Sequence, residues 1–269
     1  MNKNKFYKDR KLPFAECRYS KENANEFKPH MHSTFCIGAI EEGRVEYRVG
    51  NELRTLVPGN LALINPEVLH SCNPAEKTGR SFYMLYLDVQ WCLVVQKSMW
   101  LTARFVPAER IMLRNKELFG EFCRTMAKLM GEQIHALAKE QMLVELVEKV
   151  LHLCCNPTAP AASLSGNIKT LKEMLSHELA SDLTLNSLAG MLDTNPYTLL
   201  RRFKQETGIT PHAFRMNCRI NAAKAMLQKG ADIADTALLC GFFDQSHFHH
   251  QFKAMTMVTP RQYQVNFLQ

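Results

Sequence analysis

The chain has 269 residues, 46% of them hydrophobic and 22% charged, with a formal net charge of +7. The length permits two domains, and the composition is that of an ordinary soluble chain rather than a disordered or membrane-embedded one. The modest basic excess permits a polyanionic partner without requiring one, and nine cysteines without any C-x-x-C spacing exclude a disulfide framework and a zinc knuckle.

The opening MNKNKFYKDRKLPF has no apolar core of signal-peptide length. The longest apolar runs, such as Leu93–Val95, fall far short of the roughly 20 residues of a membrane span. A cytoplasmic protein with no membrane partner is expected, its thiols reduced and mostly buried.

From the start to about Val106 the chain reads as strands. Phe35–Ile40 is an apolar run, Glu41–Gly43 a turn signal, and Arg44–Val49 alternates strictly. Gly50–Glu52 is the next turn, and Leu53, Leu56, Leu61, Leu63 and Ile64 continue the pattern around Pro58-Gly59. Ser81–Asp88 adds a segment rich in aromatic and apolar residues. Short strands joined by Gly, Pro and Asn turns predict a small barrel or sandwich.

Pro29-His30-Met31-His32, Glu42-Gly43, Pro58-Gly59-Asn60, Asn65-Pro66 and His70 resemble the cupin-type sensor domain of bacterial AraC-type regulators, over roughly Phe27 to Asp88. The resemblance implies a cavity for a small-molecule effector, with His30, His32, Tyr47, His70 and Tyr83 at its wall or mouth. In metal-binding cupins an H-x-H, a following carboxylate and a later histidine hold the metal. Here Cys36 or Ile37 takes the carboxylate's place and His70 falls one residue early. No metal and no cofactor are therefore expected, and the histidines are read as lining the pocket mouth or pairing with nearby carbonyls.

The pattern then becomes helical. Leu118, Phe122, Met126 and Leu129 make one helical face, and Leu143, Leu146, Val147, Val150 and Leu151 a second, with a break near Gly131. These stripes are expected to form core for the most part, and in part a homodimer seam, since twofold dimers are the commonest assembly. Asn156–Gly166, with two prolines, several small residues and no charge, is read as a linker. The predicted domains are residues 1–155, a linker at 156–166, and residues 167–269.

In the last part, Ile168, Leu171, Leu175 and Leu179 share one helical face. Thr184 suits an N-cap, with Leu185, Leu188, Ala189 and Leu192 inward and Asp193-Thr194 as a turn. Asn195 caps the next helix and Pro196 occupies its first position. Leu199 and Phe203 face the core there, leaving Tyr197, Thr198, Arg201 and Arg202 outward. Gly208 ends that helix, and Thr210-Pro211 starts a long one to about Lys229.

A second unit follows: Asp232–Leu239, a turn at Gly241-Phe242, and a helix over Asp244–Lys253. Leu199, Phe203, Lys204, Thr210 and Pro211 map onto Phe248, Phe252, Lys253, Thr259 and Pro260 at a constant offset of 49 residues. Ala189 maps to Ala237 at an offset of 48, so the second turn holds one extra residue. This is an internal repeat.

Ala189, Leu199, Phe203, Gly208, Pro211, Phe214, Arg219, Ala223, Leu227, Ala237, Gly241-Phe242, Ser246, Phe248, Phe252-Lys253, Pro260 and Tyr263 carry a close resemblance to the DNA-binding domain of AraC-type regulators, over about Leu183 to Tyr263. Thr236 and His250 depart from it, standing where the family usually has isoleucine and commonly a basic residue. The resemblance implies two recognition helices in successive major-groove segments of double-stranded DNA. From the first, Tyr197, Thr198 and Arg201 meet bases; from the second, Gln245, Ser246, His247 and His250 do so. Asn195 belongs to the same interface, and Arg202, Lys204, Lys253 and Arg261 suit phosphates. RNA polymerase is the implied downstream partner.

The fold expectation is therefore α+β: an N-terminal small β-barrel of cupin type with helices, then an all-α domain with two helix-turn-helix motifs. The functional expectation is an effector-controlled transcription regulator, an activator and not an enzyme; no G-x-S-x-G, phosphate loop or paired-carboxylate motif is present. Two alternatives stay open: a metal-dependent cupin enzyme with a DNA-binding appendage, and a ligand-independent regulator whose first domain only dimerises.

Overall fold

The computed structural model describes residues 4–50, 52–75, 79–131, 134–158, 165–181 and 183–267. The chain divides into two compact units, residues 1–26 with 31–161 and residues 27–30 with 162–269. The expected linker Asn156–Gly166 falls largely at 159–164, outside the described residues.

The first unit contains strands β1 (Asn4–Tyr7), β2 (Ala15–Asn23), β3 (Phe35–Glu42), β4 (Val45–Val49), β5 (Glu52–Leu56), β6 (Asn60–Ile64), β7 (His70–Pro74) and β8 (Arg80–Leu87). Helix α1 (Val89–Met99), strand β9 (Met112–Arg114) and helices α2 (Lys116–Leu129) and α3 (Ala136–Cys154) complete it. The strands form two sheets, one of six in the order β1-β2-β8-β3-β6-β9 and one of three in the order β5-β4-β7. All the pairings are antiparallel.

Strand alternation gives the larger sheet two faces of different character. Ala15, Cys17, Phe35, Ile37, Ala39, Leu61, Leu63, Leu85 and Leu87 share one buried cluster with Leu118, Phe122, Met126 and Leu129 of α2 and Leu143, Leu146, Val147, Val150 and Leu151 of α3. The two helical stripes read from the sequence thus meet a sheet of their own chain. Each large apolar side chain buried there stabilises the unit by about 1.5–3 kcal/mol, and the stripes themselves are consumed in this core.

α1 was hidden in a region that reads as strands. Its Trp91-Cys92-Leu93-Val94-Val95 run has strand-like composition, but the Asp88 carboxylate accepts from the Trp91 N–H at 2.9 Å and starts a helix there.

The second unit contains α4 (Gly166–His177), α5 (Leu185–Met191), α6 (Pro196–Thr207), α7 (Pro211–Gln228), α8 (Ile233–Leu239), α9 (Gln245–Thr256) and α10 (Pro260–Val265). Leu188, Ala189, Leu199, Phe203, Phe214, Ile220, Ala223, Leu227, Ala237, Phe248, Phe252 and Tyr263 are all buried. Thr236, at the isoleucine position, is buried too, and its hydroxyl donates back to the Asp232 carbonyl at 2.6 Å.

The sequence repeat is also a hydrogen-bond repeat. The Thr207 hydroxyl donates to the Phe203 carbonyl at 2.6 Å and the Ile209 carbonyl at 3.1 Å; Thr256, 49 residues on, bonds Phe252 at 2.8 Å and Val258 at 3.0 Å. Thr210 and Thr259 cap α7 and α10, each ahead of a proline at the first turn.

Candidate nucleic-acid interface and effector site

α5 and α6 form the first helix-turn-helix. In its turn the Thr194 N–H donates to the Ala189 carbonyl at 3.0 Å, and Asp193 takes φ of 46°. α8 and α9 form the second, where the Phe242 N–H donates to the Ala237 carbonyl at 2.9 Å and Gly241 takes φ of 78°. Both turns thus close on the small alanine of the first helix, at the 48-residue offset.

α6 presents its polar side as expected. Arg201, Arg202 and Lys204 are exposed, Thr198 is half-buried, and Tyr197 stands 74% exposed. Asn195 is occupied differently from a base contact. Its side-chain oxygen accepts from the N–H groups of Tyr197 at 2.9 Å and Thr198 at 3.3 Å, so its first task is to cap the helix.

α9 exposes Gln245, Ser246, His250 and Lys253. His247 is half-buried, and its ring packs edge-on against Phe242 at 5.6 Å between centroids. His249, not singled out in the sequence, is exposed beside His250.

Three further residues hold the interface in place. Arg215 is buried and its Nη2 donates to the carbonyls of Glu178 (2.8 Å), Leu179 and Ser181. Arg219 donates Nε–H to the Leu179 carbonyl at 2.9 Å. A Cβ on Gly241 would lie 2.2 Å from that same carbonyl oxygen. The segment after α4, the long helix α7 and the second turn therefore meet at one peptide group. Arg219 and Gly241 stood in the family pattern, but that they share a partner was not legible from spacing.

In the first unit, the face of the large sheet turned away from α2 and α3 carries Arg18, Phe82, Tyr86 and Cys36. The Arg18 guanidinium lies 5.0 Å from the Phe6 ring centroid and 5.6 Å from that of Phe82, and donates to Ser20 Oγ at 3.2 Å and Asn4 Oδ1 at 3.1 Å. Burial pushes the Tyr86 hydroxyl well above its ordinary pKa, keeping it a neutral donor, although Arg18 pulls the other way. Gly38 belongs here because a Cβ would come within 2.6 Å of Met84 Sδ.

The predicted effector residues separate. His32 lies 5.0 Å from His70 and 5.1 Å, edge-on, from Tyr86, measured between ring centroids. His30 Nδ1 pairs with the Lys28 carbonyl at 2.8 Å and His70 Nδ1 with the Val68 carbonyl at 2.9 Å. A carbonyl only accepts, so both rings carry a proton on Nδ1. Cys36, at the missing carboxylate's position, has its sulfur engaged with Thr34 Oγ1 at 3.3 Å.

Tyr47 is fully buried and donates its hydroxyl to the Leu63 carbonyl at 2.7 Å, joining the two sheets. Tyr83 sits at an odd position of β8, on the face with Leu85 and Leu87, and packs beside the helix cluster and against Tyr19 at 4.6 Å. One step of strand alternation moves it from the cavity face to the helix face. Arg18 and Tyr86 are inner-face residues the sequence reading did not name: no individual strand was placed around Arg18, and the composition of Ser81–Asp88 does not say which of its residues face inward.

A sheet unit with a polar inner face, joined in one chain to two helix-turn-helix motifs braced on a shared long helix, defines a ligand-binding transcription regulator. Residues 13–147 match the family model described as an AraC-like ligand binding domain, and residues 188–266 match a helix-turn-helix domain model. The chain belongs to the AraC-type transcriptional regulators. It is 30% identical over 227 residues to the uncharacterized HTH-type transcriptional regulator YbfI of Bacillus subtilis, covering 82% of this chain and 81% of that one. It is 27% identical over 125 residues to the HTH-type transcriptional activator RhaS of Pectobacterium carotovorum, covering 46% and 44%.

Among solved structures, apo ToxT of Vibrio cholerae shares the fold with a TM-score of 0.64 at 14% identity, over 94% of this chain and 97% of that one. A ToxT structure with a bound unsaturated fatty acid matches with a TM-score of 0.62 at 14% identity, over 97% and 94%. Among the described residues, no helix is long and apolar enough to cross a membrane.

Proposed function

We propose that this regulator is an activator in the cytoplasm, controlled by a small polar effector held on the inner face of its sheet domain. The observation that carries the effector reading is the collection of Arg18, His32, His70 and Tyr86 on surfaces where a plain structural core would be apolar. A buried guanidinium and oriented imidazoles suit an anionic or hydrogen-bonding molecule rather than a bare hydrocarbon. The described relative RhaS, an activator, supports the sign of regulation.

On this reading Arg201, Tyr197 and Thr198 read bases from α6, and Gln245, Ser246 and His250 from α9, while Arg202, Lys204, Lys253 and Arg261 hold phosphates. The chain acts by binding, with RNA polymerase as its downstream partner, and works as a homodimer through surfaces other than the stripes buried in its own core. The effector shifts operator affinity only by its differential affinity for two states.

Thermal unfolding against a metabolite panel tests the sensor. An effector raises stability by mass action and changes operator binding; a flat panel, with operator binding unaffected, overturns the proposal in favour of a purely dimerising first domain.

A further inference from the structure

The extra residue of the second turn is Phe243. The two turns superpose at an offset of 48 through Thr194 and Phe242, whose N–H groups close on Ala189 and Ala237. From the N-caps onward, Asn195 and Asp244, the offset is 49. The residue between Phe242 and Asp244 has no counterpart in the first motif.

Its side chain does not serve the fold. A residue just before an N-cap ordinarily staples onto the fourth helical position, here Phe248. Phe242 takes that part instead: it is 3% exposed and lies 4.9 Å from Phe248 between centroids. Phe243 is left 88% exposed. The ring stands immediately before the first turn of α9, beside the exposed Gln245 and Ser246, and the N-terminal end of a recognition helix is the part that enters the major groove. α9 also lacks the arginine of α6, having His250 where α6 has Arg201.

We propose that Phe243 is a specificity-determining contact of the second recognition helix, its ring packed on the C5-methyl group of a thymine beside the bases met by Gln245 and Ser246. Apolar side chains read thymine this way, because the methyl is the feature that marks it in the major groove. The first motif reads with a guanidinium, and the second adds an apolar reader through one inserted residue. This rests on α9 being the second DNA-reading helix.

The test uses the full chain and an operator selected by it from random-sequence DNA. Each thymine of the α9 segment is replaced in turn by deoxyuridine, which lacks only the methyl. For the wild-type chain, one such replacement is expected to weaken binding about three- to fivefold, the worth of one buried methyl. Phe243→Ala is expected to weaken binding to the unmodified operator similarly and to show no further loss at that position. Phe243→Leu, which keeps apolar bulk, should retain part of the methyl dependence. If Phe243→Ala binds the unmodified operator as the wild type does, or keeps the full deoxyuridine penalty, the contact is refuted. Unchanged DNA binding with lost transcription activation would refute it in favour of a protein contact. Failure of both Gln245→Ala and Phe243→Ala to alter binding, while Arg201→Ala does, would overturn α9 as a reader and this inference with it.

Discussion

Arg219 Nε lies 2.9 Å from the Leu179 carbonyl oxygen, and the same oxygen leaves no room for a side chain at Gly241. The contact joins the segment after α4 to α7 and to the turn that aims α9. Gly241 also sits at φ of 78°, where a Cβ is unfavourable. Gly241→Ala is therefore expected to destabilise the protein by about 2–4 kcal/mol, combining left-handed strain with overpacking. Gly190→Ala is the control, since its added Cβ meets nothing within 4 Å and it lies inside α5. Thermal unfolding checks the pair: a large loss for the first and none for the second is predicted, and equal effects would contradict the account.

Met257 is the repeat partner of Gly208, and both end a recognition helix in the left-handed region, at φ of 65° and 80°. Glycine holds that conformation at no steric cost, whereas methionine pays about 1 kcal/mol. Met257→Gly should raise stability by about that amount, visible as a melting temperature higher by several degrees. A lower melting temperature would show that the Met257 side chain contributes more by packing than its backbone loses.

Asp232 caps α8, and the N–H groups of Asp235 and Ala234 hold its carboxyl pKa below the usual value. A depressed folded-state pKa means stability that is present above the ordinary carboxylate range and lost as pH falls through the folded pKa. Asp232→Ala should thus cost stability at neutral pH, and the gap from wild type should close as pH falls below the ordinary carboxylate range. A gap that stays constant with pH would contradict the assignment.

Much of the second unit was legible because its signals are local. Caps at Thr184, Asn195 and Thr210, the proline starts and the 49-residue repeat each fix backbone within a few residues. What was not legible depends on contacts distant in sequence. Arg215 and Arg219 reach back to Glu178–Ser181, and no local pattern shows that. Spacing alone could not show that His247 packs onto Phe242.

In the first unit, the strands bounded by turns were readable, and the stripes of α2 and α3 named the core correctly. β1 and β2 carry mixed polar residues with no turn signal, so Arg18 went unseen. The composition of Ser81–Asp88 does not fix which face Tyr83 takes, and the strand places it with Leu85 and Leu87. The carbonyl pairing of His30 and His70 was among the expected roles.

The basic excess of the second half is small, 11 Lys and Arg against 8 Asp and Glu from Asn167 on, which makes placement decisive. Operator affinity should fall steeply with salt, because the phosphate contacts proposed for Arg202, Lys204 and Lys253 would release counterions. Lys204→Ala should lower the slope of log affinity against log salt by about 1, with the preferred sequence unchanged. An altered sequence preference would reassign Lys204 to base reading.

The most direct test of the bipartite reading is equilibrium binding of the full chain to its selected operator, comparing wild type, Arg201→Ala and His250→Ala. Arg201→Ala is predicted to lose about 1–3 kcal/mol of specific binding, and His250→Ala less, with protection shrinking over the segment each helix covers. An Arg201→Ala chain with unchanged affinity and footprint, or a greater loss from His250→Ala, would contradict it.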